Sequence, residues 1–325
     1  MKKISFLFCL LPLLFAGCQN TPQPEQKMYV GTFNIRYAND GDVERGNSWN
    51  QRRPVVTQLI RFHDFDILGT QEVLHAQLQD MLSDLPEYDY VGVARGDGDK
   101  KGEYVPIFYK KDKFKLLSSG NFWLSEDTET PNVGWDAALP RICTWAEFEW
   151  GKKKFWFMNT HFDHVGREAR KQSAILMMDK VREMCGTDPV IITGDFNTGQ
   201  TSEHYALFDS SDLLDDSYNV AIIRYALNGT MSGFNTNGWS ENRIDHVFVS
   251  TSFDVLRYGV LTDSYRTPIE LTGEEQAAAA VAPPRQGGPG GQAGQGGDQR
   301  PRRAMYAGRT PSDHYPIKVE VLFNK

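Results

Sequence analysis

The chain is punctuated by short apolar stretches, often alternating apolar with polar residues, at 28–35, 65–69, 88–94, 105–109, 114–124, 142–150, 155–160, 190–193, 246–250, 254–261 and 315–323. A period of two marks half-buried strands, and runs this brief are too short for buried helices. Two segments have helical spacing instead: Val56, Leu59, Ile60 and His63 form one stripe, and Ala174, Met177, Met178 and Val181 form another. The second stripe is backed by Arg167, Arg170, Lys171, Lys180 and Arg182, which read as a solvated face. Many strands with few helices between strand pairs predict an α/β architecture of two packed sheets with helices on the outer faces.

The ends of the chain read differently. Lys2 and Lys3 precede an apolar run at 4–15 and then Ala16-Gly17-Cys18. The run is shorter than the roughly 20 residues a membrane-spanning helix needs, so 1–17 is expected to be a signal peptide. The small pair before Cys18 resembles a bacterial lipobox, with Phe15 where Leu is usual. That resemblance implies lipidation of Cys18, a polar tether at 18–27, and a place in the cell envelope, periplasmic or outer-membrane, held only by the lipid anchor. Cys143 and Cys185 make neither a disulfide framework nor a zinc set and are expected to be small buried hydrophobes. Residues 28–325 then form a single domain, expected to be monomeric. It is interrupted at 273–303 by an Ala, Gln, Gly and Pro segment without periodicity, which reads as a disordered insertion. Strand-like sequence resumes at Tyr315, with too few residues left to fold alone.

Chemistry-bearing side chains collect at the strand ends. Asn34 closes the first strand, Gln71-Glu72 follows the second, and His161 and Asp163 follow 155–160. Asp195-Phe196-Asn197 follows 190–193, while Asp245-His246 and Asp313-His314 each begin a strand. In antiparallel neighbours one strand's end lies beside the next strand's start, so these sites can share one rim. Clustered carboxylates and carboxamides suit a hard, oxygen-bound cation such as Mg²⁺ or Mn²⁺, which most often serves phosphoryl chemistry. A histidine oriented by a carboxylate can move a proton near neutral pH. There is no GxSxG elbow and no P-loop. The net charge of −7 argues against a uniformly basic nucleic-acid binder.

Six motifs then stand in one order: Thr32-Phe33-Asn34, Gln71-Glu72, Asn159-Thr160-His161, Gly194-Asp195-Phe196-Asn197, Ile244-Asp245-His246 and Ser312-Asp313-His314. In this order the chain, from Met28 to its C-terminus, resembles the endonuclease/exonuclease/phosphatase superfamily, which includes deoxyribonuclease I. The segment Gly102-Glu103-Tyr104-Val105-Pro106-Ile107-Phe108-Tyr109 and the pair Pro140-Arg141 resemble most the bacterial branch near the carbon-catabolite-repressor deadenylases. The resemblance implies a four-layered α/β sandwich like that of deoxyribonuclease I. It implies Glu72 as the main metal ligand, with Asn34 and Asp313 in the coordination shell or just behind it. Asp195 orients or deprotonates the attacking water, Asn197 holds phosphate and nucleophile in line, and Asp245 orients His314. His161 stabilises phosphoryl oxygens or helps the leaving group, and Arg141 adds a charge clamp. Either His161 or His314 can be the acid. Asp163, His164 and His246, beside these motifs, are candidate substrate contacts. His63, His75 and His204 lie on or at the start of helices and are expected to be structural.

The function expected is an Mg²⁺- or Mn²⁺-dependent phosphoesterase acting on a small phosphorylated molecule or nucleotide in the cell envelope. The alternative within the enzyme class is a 3′-5′ exonuclease or endonuclease on single-stranded nucleic acid. A lipoprotein that keeps the fold and only binds a ligand is the alternative from another class.

Overall fold

The computed structural model describes residues 27–269 and 306–324. The expected signal peptide, Cys18 and the 273–303 insertion lie outside the described residues. The first part of the chain comprises β1 (Lys27–Asn34), α1 (Asp40–Glu44), α2 (Trp49–Phe62), β2 (Ile67–Gln71), α3 (His75–Asp84), β3 (Tyr88–Val91), β4 (Ile107–Lys110) and β5 (Lys115–Trp123). There follow β6 (Ile142–Trp150), β7 (Lys153–His161), α4 (Arg167–Lys180) continued by a π-helical turn Val181–Cys185, β8 (Val190–Asp195), α5 (Glu203–Asp209), β9 (Leu214–Asp216) and α6 (Ser217–Val220). The last elements are β10 (Ile223–Tyr225), β11 (Asp245–Ser250), β12 (Phe253–Val260), β13 (Tyr265–Pro268), β14 (Tyr306–Arg309) and β15 (Ile317–Phe323).

The strands form a seven-stranded sheet, β10-β12-β15-β1-β2-β4-β3, a six-stranded sheet, β5-β6-β7-β8-β11-β9, and a separate β13-β14 ribbon. Pairing is parallel at β1–β2, β7–β8 and β10–β12, and antiparallel elsewhere. The alternation read in the sequence decides which side chains face where. Met28, Val30, Ile67 and Ile107 meet Phe155, Phe157, Ile191 and Val247 between the two sheets. On one outer face Val56 and Ile60 of α2, with Leu78 and Met81 of α3, cover Phe33, Leu68 and Phe108. On the other, Ala174 and Met177 of α4 and Phe208 of α5 cover Met158, Ile192 and Phe248. Helix, sheet, sheet and helix make four layers, the deoxyribonuclease I-like sandwich. Cys143 and Cys185 are free and buried, as small hydrophobes are expected to be.

Toward the rim where Asn34, Asp195 and Asp245 end or begin their strands, the intersheet core turns polar. Asn159 on β7 donates to the carbonyls of Thr70 and Pro106 at 2.8 and 3.0 Å. Its own oxygen accepts from Gln71 Nε2 at 2.7 Å and Thr193 Oγ1 at 3.1 Å. Asn159 therefore ties the two sheets directly beneath the site. Gly69 permits the close approach, since a Cβ there would overlap Asn159 and Thr193. Asn159→Ala strands these donors and acceptors in a fully buried place. It is expected to destabilise the fold by on the order of 3 kcal/mol, read from the urea midpoint at constant slope; a loss below about 1 kcal/mol would show that the network is not a clamp.

Candidate active site

Sheet register assembles the site. Asn34 pairs with Gln71 at the β1–β2 end, His161 with Asp195 at the β7–β8 end, and Asp195 with Asp245 between β8 and β11. The Asp313-His314 turn leads into β15 beside β1. These ends surround a cavity of about 350 Å³ whose wall includes Glu72, His161, Asp195, Asn197, Asp313 and His314.

Asn34 links two of the carboxylates. Its Nδ2 donates to Glu72 Oε1 at 3.1 Å and to Asp195 Oδ2 at 2.9 Å, and its oxygen accepts the Arg36 N–H at 3.0 Å. Glu72 Oε2 accepts the Tyr37 N–H at 3.1 Å. Arg36 Nη1 lies 3.9 Å from Glu72 and 3.5 Å from Asp313. Glu72 and Asn197 adopt φ of 59° and 47°, a left-handed conformation costly for Glu and better tolerated by Asn, such as functional sites retain. Burial pushes the Asp313 carboxyl above its ordinary value; His314 opposes this and Glu72 adds to it. Two carboxylates and a carboxamide without a thiolate, carrying more negative charge than Arg36 offsets, fit a hard divalent cation.

The second cluster is built on His314. Asp195, Asp245 and His314 bring one donor atom each within 4.8 Å of one another. His314 Nδ1 lies 2.9 Å from Asp245 Oδ2, and its Nε2 lies 3.8 Å from Asp195 Oδ2. Burial alone would lower the His314 pKa, but the Asp245 and Asp195 charges raise it well above the ordinary value. Burial and the Asp245 charge push Asp195 up to about 7, against His314, the Asn197 N–H and Asn34. Such an acid can exchange a proton near neutral pH.

On the far wall, Asn197 Nδ2 donates to the Phe162 carbonyl at 3.0 Å and lies 3.2 Å from His161 Nε2. The Phe162 bond orients the amide so that its second N–H faces His161 Nε2 at 3.2 Å, closer than Asp195 Oδ2 at 3.5 Å; with Asn197 donating, Nε2 accepts and Nδ1 carries the hydrogen. Burial first, and then Arg141 and Arg95, lower the His161 pKa well below the ordinary value, which keeps the ring neutral. Arg141 is held by Asp163 at 3.2 Å and His164 at 2.9 Å, leaving Nη1 buried without a partner among the described residues.

The structure therefore gathers Glu72, Asp313, His161, Asp195, Asn197, His314, Arg141 and His164 around one cavity, with Asn34 and Asp245 directly behind. Two expected substrate contacts are corrected. His246 is 1% exposed, sits 2.9 Å from the Thr198 carbonyl and packs on Phe196 and Tyr205, because it follows Asp245 on β11 and alternation turns it to the opposite face. Asp163 is equally buried and does not line the cavity; it accepts the Val165 and Gly166 N–H groups and positions Arg141. Burial acts to raise its pKa, but the Gly166, Val165 and Ala138 N–H groups and Arg141 bring it down to about 2. Three charged cavity residues, Arg36, Arg95 and Glu103, were not among the expected site residues. His75 approaches Tyr104 Oη at 3.0 Å, while His204 is buried beside the same aromatic cluster as His246.

Comparison with known proteins gives the same fold. The sequence profile of the Endonuclease/Exonuclease/phosphatase family matches residues 31–314. An endonuclease/exonuclease/phosphatase family protein from Bacteroides thetaiotaomicron is 45% identical, with a TM-score of 0.81 over 92% of this chain and 99% of that one. A mannosyl-6-phosphatase from the same organism is also 45% identical, with a TM-score of 0.79 over 91% of this chain and 100% of that one. An endonuclease/exonuclease/phosphatase from Bacteroides vulgatus is 34% identical, with a TM-score of 0.74 over 92% and 100% of the respective chains.

Proposed function

The chain belongs to the endonuclease/exonuclease/phosphatase family and is a hydrolase of phosphoester bonds; from that premise we propose that it cleaves the phosphate monoester of a small phosphorylated sugar. The observation that carries this reading is the cavity. Its volume of about 350 Å³ falls within the roughly 300–1,000 Å³ of small-molecule sites. Among the described residues Tyr37 is the one aromatic ring on its wall besides histidines, whereas single-stranded nucleic acid is usually held on stacked aromatics along a basic track. The mannosyl-6-phosphatase likeness supports a sugar as the leaving group.

The residues divide the work as follows. Glu72 and Asp313, with Asn34 behind them, would hold a divalent cation, Mg²⁺ or Mn²⁺, which supplies charge neutralisation at the phosphoryl and leaving oxygens. Asp195 accepts the proton of the attacking water as the new P–O bond forms; the bond to the sugar oxygen breaks and that oxygen takes a proton from solvent, so the sugar leaves as an alcohol and Asp195 returns its proton to water. Asn197, fixed to Phe162, orients the phosphate and the water. His314, kept charged by Asp245, donates from Nε2 to the phosphoryl oxygens, and Arg141 offers its free Nη1 to the same group.

A substrate panel tests the reading. Hexose 6-phosphate, a nucleoside monophosphate, bis(p-nitrophenyl) phosphate and single-stranded RNA are compared by kcat/KM with Mg²⁺ present. The hexose phosphate is expected to lead by tenfold or more, on the order of 1.4 kcal/mol of transition-state discrimination. Preferential cleavage of the RNA would overturn the reading in favour of the nuclease.

The lipobox-like Ala16-Gly17-Cys18 supports placing this activity in the cell envelope on a lipid anchor. Cys18→Ala is then expected to move the protein out of the membrane fraction; unchanged fractionation would remove the anchor.

A further inference from the structure

Arg95 and Glu103 enter the catalytic cavity from a loop between β3 and β4 that none of the six motifs includes. The loop is built rigidly. Arg95 N–H bonds the Glu103 carbonyl at 3.0 Å and Gly96 N–H the Lys101 carbonyl at 2.9 Å. Trp123 Nε1 holds the Arg95 carbonyl at 2.9 Å, while Tyr104 bridges to Val73 and to Ala94. The two side chains also meet, Arg95 Nη2 donating to Glu103 Oε1 at 2.8 Å.

What remains is an unmatched donor and acceptor. Glu103 Oε2 and His161 Nδ1 are both buried at the cavity wall, 3.9 Å apart, and neither has a hydrogen-bond partner among the described residues. Asn197 leaves the hydrogen on His161 Nδ1, so a donor stands beside a carboxylate acceptor. A phosphoryl oxygen cannot satisfy both, because it only accepts and Glu103 repels it. A cation is no better suited, since Arg95 already neutralises the carboxylate. A hydroxyl group, which donates once and accepts, complements the pair.

We propose that Glu103, with Arg95 and His161 Nδ1, forms the subsite that reads a hydroxyl of the sugar whose phosphate lies at Asp195 and His314. This rests on the sugar-phosphate reading and adds where the sugar is recognised. Burying a donor and an acceptor without partners is costly, and a site left so when the substrate lacks its hydroxyl discriminates strongly against that substrate. Glu103 is thus a specificity residue.

The experiment measures kcat/KM for hexose 6-phosphate and for phenyl phosphate, the same monoester without sugar hydroxyls, in the wild type and in Glu103→Gln. The ratio of the two values is expected to fall roughly 10-fold or more in the variant, the loss of a hydrogen bond to a charged group. Any misfolded fraction lowers both values alike and leaves the ratio unmoved. Single-deoxy hexose phosphates identify the hydroxyl, because the analogue lacking it should no longer respond to the substitution. If Glu103→Gln lowers both substrates equally, Glu103 serves His161 or the fold and the subsite is overturned, with the sugar-phosphate reading intact. If the wild type shows no preference for the hexose phosphate over the nucleoside monophosphate of the substrate panel, whose leaving group is likewise a primary alcohol, that reading fails and the subsite fails with it.

Discussion

Glu72→Gln is expected to lower kcat at saturating Mg²⁺ by roughly 10³-fold or more, the equivalent of about 4 kcal/mol at the transition state. Gln keeps the volume and can still accept one of the two donors that Glu72 holds at 3.1 Å, the Tyr37 N–H or Asn34 Nδ2. The fold should therefore remain, with a urea midpoint only slightly lowered. What is lost is a formal charge at a place where the structure concentrates acids: Glu72 and Asp313 both lie within 4 Å of Arg36. Without that charge the site would no longer hold a divalent cation in its working position, and that cation is what would offset the negative charge collecting on the phosphoryl group. Turnover within tenfold of wild type at saturating metal would remove Glu72 from the ligand set.

Asp195→Asn and His314→Ala are each expected to lower kcat by about 10²–10⁴-fold, the usual worth of a positioned acid or base. Asp195 Oδ2 is reached by Asn34 at 2.9 Å and faces His314 Nε2 at 3.8 Å, and His314 in turn faces Asp245 at 2.9 Å. Groups this close act as one device, so the double variant should fall no more than about tenfold below the worse single variant. Fully multiplicative losses, measured in the same assay, would mean that the two residues act independently.

Much of the architecture is legible in the sequence because short apolar stretches mark strands, alternating where one face is partly exposed, as in β6, and continuous where both are buried, as in β8. The apolar residues of β1, β6, β7, β8 and β15 line the core, and the stripes on α2 and α4 face their sheets. The pieces that escape are those the core does not hold. β9 and β10 are three residues each, and β10 is exposed throughout. The β13–β14 ribbon flanks the expected insertion and alternates only between intermediate and exposed positions, so its pattern carries no hydrophobic signal.

The site is legible for a related reason. Asn34, Asp195 and Asp245 lie at strand ends that register brings together. The same alternation, applied to Asp245-His246, would have turned His246 inward toward Phe196; reading the doublet as a unit obscured this. Arg36 escaped because it reaches Glu72 and Asp313 from a backbone turn of φ 60° that no periodicity announces. Arg95 escaped because a loop rich in Gly and Asp reads as a turn; Glu103 lies in the segment 102–109 that resembles the bacterial branch but had no assigned role, and only the fold shows that the loop's ends close on the cavity.

Release of inorganic phosphate from hexose 6-phosphate by the full chain, before and after exhaustive EDTA dialysis and then with Mg²⁺ restored, tests most directly that metal-assisted monoester hydrolysis occurs in this pocket. The account predicts loss of at least 99% of the rate on chelation, on the order of 3 kcal/mol of lost transition-state stabilisation, with recovery on adding Mg²⁺ to the wild type but not to Glu72→Gln. Phosphate release that persists undiminished in the chelated protein would contradict it.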